Sequence, residues 1–108
     1  MARLEQGFVR QLQPLAEQSR LLLLTAAAEP VGDDSLLWRA ATQLGIPPDA
    51  AATAEAAGFI DLRDGVRFRH PLVRSAVYRS ATRAQRREVH GALGEVTDPE
   101  TDPDRRAW

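Results

Sequence analysis

Apolar positions in the first dozen residues recur every four, at Leu4, Phe8 and Leu12, which predicts a lead-in helix within residues 1–13. The Gln13–Pro14 step ends it, because the residue before a proline is pushed out of helical geometry. Pro14 then suits the first position of a longer helix. In that helix Leu15, Ser19, Leu22, Leu23, Ala26 and Ala27 form one face, and Leu21 and Leu24 widen it until the last turns are apolar nearly all round. Such a helix belongs at the centre of its core. Pro30 and Gly32 stop it.

Asp33, Asp34 and Ser35 offer capping oxygens to the next helix, where Leu36, Leu37, Ala40, Ala41 and Leu44 recur at helical spacing and Gly45 closes the last turn. A further helix runs from Pro48 through "DAAATAEAA" to Gly58. Its side chains are mostly methyl groups, so its backbone must approach its neighbours closely.

The period changes in "FIDLRDGVRFRH", residues 59–70. A two-residue Asp64–Gly65 turn would set Leu62 opposite Arg67 and Ile60 opposite Arg69, with arginine on the apolar face. A three-residue loop sets Leu62 opposite Val66 and Ile60 opposite Phe68. The second register is favoured because a one-residue slip turns every side chain to the wrong face. It makes Gly65 the left-handed residue of a type I turn with a G1 bulge. Arg63, Arg67 and Arg69 then lie off the buried face of a small β-wing.

Two helices follow. Leu72, Val73, Ala76 and Val77 face inward in the first; Thr82 and Gln85 form a capping box that opens the second, which buries Val89, Ala92, Leu93 and Val96. The stretch 97–108 is acidic and broken by proline, and Asp104 is placed to cap one more helix before Trp108. It reads as a linker and the truncated start of a helical-repeat region, with a fragment boundary at Trp108.

The class expected is therefore mainly α: a winged helix-turn-helix of three helices and a β-hairpin wing, followed by two further helices, all within residues 14–96. Composition agrees, since 44% apolar and 27% charged residues in 108 suit one globular core. There is no cysteine, so disulfides and thiolate metal sites are excluded, and two histidines alone make no zinc site. The apolar run at 21–28 is too short for a membrane span, and residues 1–8 lack the apolar segment of a secretory signal, so a cytoplasmic chain is expected. All fourteen basic residues are arginine, which removes a Walker-type phosphate loop and lysine chemistry. Net charge runs −3, +5 and −3 over residues 1–58, 59–90 and 91–108, so the wing and the helix after it form a basic island.

Reading bases in the major groove requires arginine, lysine, asparagine or glutamine near the start of the second helix of the motif. The helix "PPDAAATAEAAG" has Asp49 and Glu55 and no basic side chain, so sequence-specific DNA binding through it is disfavoured, although wing arginines could still meet phosphate.

The stretches "RLLLLTAAAEPVGDDSLLWRAATQLG", "AAGFIDLRDGVRFRHPLVRSAVYRSAT", "RREVHGAL" and "DPDRRAW" resemble the segment that follows the ATPase module in actinobacterial LuxR-type transcriptional regulators of the STAND class. The resemblance spans about residues 14–108. It implies a regulatory winged-helix domain, not an enzyme, with no cofactor of its own. Its partners would be the nucleotide-binding module and helical repeats of the same parent chain, and ADP or ATP would be met only together with that module. Related STAND proteins carry a Met-His-Asp motif after the hairpin, followed by Leu-Val-Arg, whose histidine contacts the β-phosphate of ADP. The match places Arg69 at the methionine, His70 at the histidine, Pro71 at the aspartate, and Leu72, Val73 and Arg74 on the rest. His70, Arg69 and Arg74 thus become nucleotide-sensing candidates. The alternative is that His70 merely caps the helix before Pro71, with its ring packed on the hairpin.

Arg63, Arg67, Tyr78 and Arg79 are candidates for an interface or for phosphate contact. His90 reads as a structural, partly buried residue. Trp38 reads as a core-edge residue or a contact for the ATPase module, and Arg83, Arg86 and Arg87 as a solvated helix face or a site for an acidic partner.

Overall fold

A computed structural model describes residues 3–29, 32–63 and 65–97, residues 3–5 by their backbone alone. The expectations for Leu4, Pro30, Asp64, Asp104 and Trp108, and for the stretch after residue 97, fall outside these. Six helices and one antiparallel strand pair are seen among the described residues: α1 (Arg3–Leu12), α2 (Glu17–Ala28), α3 (Asp34–Leu44), α4 (Pro48–Ala56), β1 (Ile60–Asp61), β2 (Arg67–Phe68), α5 (Pro71–Ser80) and α6 (Arg83–Val96). None of the helices is long and apolar enough to cross a membrane.

The core is built round α2, as its apolar circumference predicts. Residues 22–27 are all buried, and α2 packs against α3, α4, α5 and α6. Outside it, α3 lies on α6 and α1 on α5. The helix begins later than proline chemistry suggests. Pro14 sits in a turn where the Leu15 N–H donates to the Leu12 carbonyl at 3.1 Å, and extended Ala16 leads into the helix at Glu17. A residue without an N–H costs nothing in such a turn, and Glu17 gives the first helical turn the negative charge it favours.

The close packing expected of the methyl-rich helix is seen directly. Ala50, Ala51 and Ala54 of α4 are buried, and Ser19, buried on α2, donates its hydroxyl to the Ala50 carbonyl at 3.0 Å. A larger side chain at these alanines would push that hydroxyl out of reach. The chain between α3 and α4 follows from Gly45, whose φ of +75° closes a Schellman motif: Ile46 N–H donates to Ala41 O and Gly45 N–H to Thr42 O. Buried Ile46 seals the turn.

The hairpin adopts the three-residue register. Ile60 pairs with Phe68 and Asp61 with Arg67, and Gly65 takes φ +92°. Arg69 N–H donates to Phe59 O at 3.2 Å, which makes Ile60–Phe68 a non-hydrogen-bonded pair and turns the Phe68 amide and carbonyl outward from β1. On the same outward side Val66 N–H points to Gly32 O, 3.5 Å away, so Gly32 lies at the outer edge of the chain entering β2. Caps match the sequence at Asp33, which accepts from Leu36 N–H, and at the Thr82–Gln85 box. Trp38 stands 39% exposed beside the buried Leu36, Leu37, Ala40 and Ala41 of α3.

Candidate functional site

The segment from β2 into α5 carries the candidate site. Arg67 is exposed on β2, and Arg69 and His70 are exposed in the extended residues that follow. Pro71 starts α5 with the fixed φ that a first helical position wants. His70 is the N-cap, in extended geometry, and its Nδ1 accepts the Leu72 N–H at 3.1 Å. Imidazole here takes the role usually given to serine or aspartate, satisfying one orphan donor of the first turn. The bond also fixes the ring chemistry: with Nδ1 accepting, the neutral imidazole carries its proton on Nε2, a donor on the far edge of an exposed side chain. The His70 ring lies 5.4 Å from the ring of Phe8 on α1, tilted by 44°, because α1 lies along α5 and brings Phe8 to the start of that helix.

The arginines sort differently from their expected grouping. Arg74, one turn after His70, turns to the end of α2: Nε donates to Ala27 O at 3.0 Å and Nη2 to Glu29 O at 3.1 Å. A cation at a helix C-terminus meets unpaired carbonyls and the negative end of the dipole, so Arg74 serves as a tertiary cap. Arg63 forms an ion pair with Asp61 at 3.1 Å. That pairing, with the Arg63 backbone N–H donating to the same carboxylate, holds the Asp61 carboxyl at about 2, well below its ordinary value, and pushes the Arg63 guanidinium up. Arg63 is thus charge-compensated, while Arg67 and Arg69 are exposed on the strand and its extension.

Arg67, Phe68, Pro71, Arg74, Glu29 and Gly32 line a shallow depression of about 420 Å³ between the wing and the end of α2. Of the three sensing candidates, Arg74 lines this depression, and His70 and Arg69 are not among its walls.

Tyr78 is half-buried and engaged within the chain. Its hydroxyl shares a 2.8 Å hydrogen bond with His90 Nε2, the two rings meeting edge to face at 5.9 Å, and Arg86 stacks 5.5 Å over its ring. Arg86 also donates to Tyr78 O and Ala81 O, both at 3.0 Å, capping α5 instead of standing in solvent. Arg39 does the same for α6 at Val96 O. Arg79 is exposed in the last turn of α5. Arg74 and Arg39 left no mark on the sequence because they reach carbonyls more than forty residues away, whereas Arg86 caps the helix just before its own. Glu55, weighed against DNA binding as a free carboxylate, accepts the Leu62 N–H at 2.9 Å and ties α4 to the hairpin.

The chain matches no protein-family model, no curated protein and no solved structure.

Proposed function

We propose that residues 14–96 form a regulatory winged-helix domain that docks on a nucleotide-binding module and offers His70 to the phosphates of bound nucleotide, as the resemblance to STAND-class LuxR-type regulators implies. The observation that carries this reading is the hydrogen bond from Leu72 N–H to His70 Nδ1. It makes the two alternatives for His70 compatible: the ring caps α5 through one nitrogen and leaves the other as an outward donor, suited to a phosphate oxygen. Supporting it are the exposed guanidinium groups of Arg67 and Arg69 on either side of Phe68. The winged-helix reading is supported by the order α2–α3–α4–β1–β2 and by the approach of the α2–α3 connection to the edge of β2. Arg74 leaves the sensing set and becomes the strut that holds the start of α5 to the end of α2.

The test is ADP retention by the parent regulator, with its ATPase module, carrying His70→Ala or His70→Asn. Asparagine is a good N-cap but lacks the distal donor. Loss of ADP affinity in both variants supports phosphate contact; full retention in His70→Asn leaves His70 a cap alone and removes the sensing role.

A second reading, an autonomous DNA binder, is favoured by the exposure of Arg67 and Arg69. It places wing arginines on the phosphate backbone and predicts duplex binding by the isolated chain that falls steeply with salt. Against it stands α4, with no basic side chain and with Glu55 committed to the hairpin. Negligible duplex binding at low salt is the expected result.

A further inference from the structure

The geometry points to α1 as a detachable strap whose docking on α5 sets Phe8 beside the His70 ring; we propose that it opens and closes independently of the rest of the fold. Three observations carry this. First, α1 lies chiefly against α5, whereas every other helix touches the central α2. Among its described side chains, buried Leu12 and half-buried Phe8 and Val9 join the core.

Second, α1 has little stability of its own. Ten residues are fewer than an isolated helix needs in water, and Gly7 sits in its interior, where glycine is among the least favourable residues. Nothing lies within 4 Å of the place a Gly7 Cβ would occupy, so no packing requirement explains the glycine. Residues 13–16, which join α1 to α2, are non-helical and, except for Leu15, exposed.

Third, the joint beneath the end of α1 is underfilled. A cavity of about 30 Å³ lies there, walled by Leu12 of α1, Arg20 and Leu24 of α2, Val77 of α5 and Gln85 of α6. Arg20 Nε is buried with no hydrogen-bond partner among the described residues. Lifting α1 gives such a group access to water, which favours opening. Local opening of this kind is the sub-global behaviour expected of a short terminal element that packs chiefly on one neighbour. Its consequence falls on Phe8, which contacts the imidazole that caps α5. Docked, α1 holds Phe8 beside the His70 ring; released, it removes that neighbour and leaves the ring more open to solvent. The inference concerns the exposure of His70 and stands whether or not that ring meets nucleotide.

Native-state hydrogen exchange on the 108-residue chain tests it. The α1 amides should exchange at least tenfold faster than those of α2 under conditions where the chain is folded. Phe8→Ala should raise α1 exchange about tenfold or more while leaving α2, α3 and α6 unchanged, and should move the His70 ring proton shifts. Gly7→Ala should slow α1 exchange about fivefold. If α1 is protected as strongly as α2, or if Phe8→Ala accelerates all helices together, α1 belongs to the cooperative core and the strap is refuted.

Discussion

Replacing Arg74 with methionine separates a structural guanidinium from a ligand-reading one. Methionine keeps much of the aliphatic stem but removes both donors to Ala27 O and Glu29 O. A hydrogen bond from a charged donor is worth about 1.5–3 kcal/mol when shielded. Arg74 is exposed, so screening reduces each bond well below that value, while the cation at the C-terminus of α2 adds about 0.3–1 kcal/mol. The sum is about 2 kcal/mol, and because a domain near 100 residues loses about 4–8 °C per kcal/mol, the melting midpoint should fall by roughly 10 °C. Arg74→Lys, with one charge and no planar fork, should recover about half of that loss. Arg67→Met is the control: an exposed wing residue whose removal should change stability by less than about 0.5 kcal/mol. Thermal and urea unfolding followed by far-ultraviolet circular dichroism measure all three. A midpoint for Arg74→Met within about 2 °C of the parent would mean that water serves those carbonyls equally well, and the tie between α2 and α5 would carry no weight.

The Ser19 hydroxyl is buried and donates to Ala50 O, so Ser19→Ala should cost about 1–2 kcal/mol in urea unfolding, with the loss traced to α4 by hydrogen exchange. Asp61 is a depressed acid, so its contribution to the hairpin is complete above its unfolded value near 3.8 and is lost as pH falls through about 2. A carbon-detected titration of its carboxyl should show that low midpoint, and Arg63→Gln should return it toward the ordinary range. An unshifted midpoint in the parent would deny the ion pair with Arg63. Gly45 holds a positive φ at the end of α3, so Gly45→Ala should cost about 1 kcal/mol, and a neutral result would mean the Schellman turn is dispensable.

Elements governed by neighbours in sequence were legible from it. The capping box at Thr82–Gln85, the cap at Asp33, the glycine at position 45 and the hairpin register each depend on residues a few positions apart, where local chemistry decides. The start of α2 misled because proline suits a turn as well as a first helical position, and Leu15 N–H closes such a turn onto Leu12. The candidate site was half legible. His70 as a cap before Pro71 could be read from the dipeptide, but its neighbour could not, since Phe8 is brought there only by the docking of α1. Arginines were the hardest to read: a guanidinium reaches far enough for tertiary contacts to choose its partner. Arg86 reads in the sequence as part of a solvated helix face and Arg74 as a nucleotide-sensing candidate, and both donate to helix-end carbonyls, as does Arg39, for which the sequence suggests no role.

The account turns on which nitrogen of His70 carries the proton. A long-range proton–nitrogen correlation spectrum of the neutral ring reads this directly. The prediction is a protonated Nε2 with Nδ1 as the acceptor, lost together with protection of the first turn of α5 in His70→Ala. A proton on Nδ1 would contradict it, breaking the cap and withdrawing the outward donor on which the proposed phosphate contact depends.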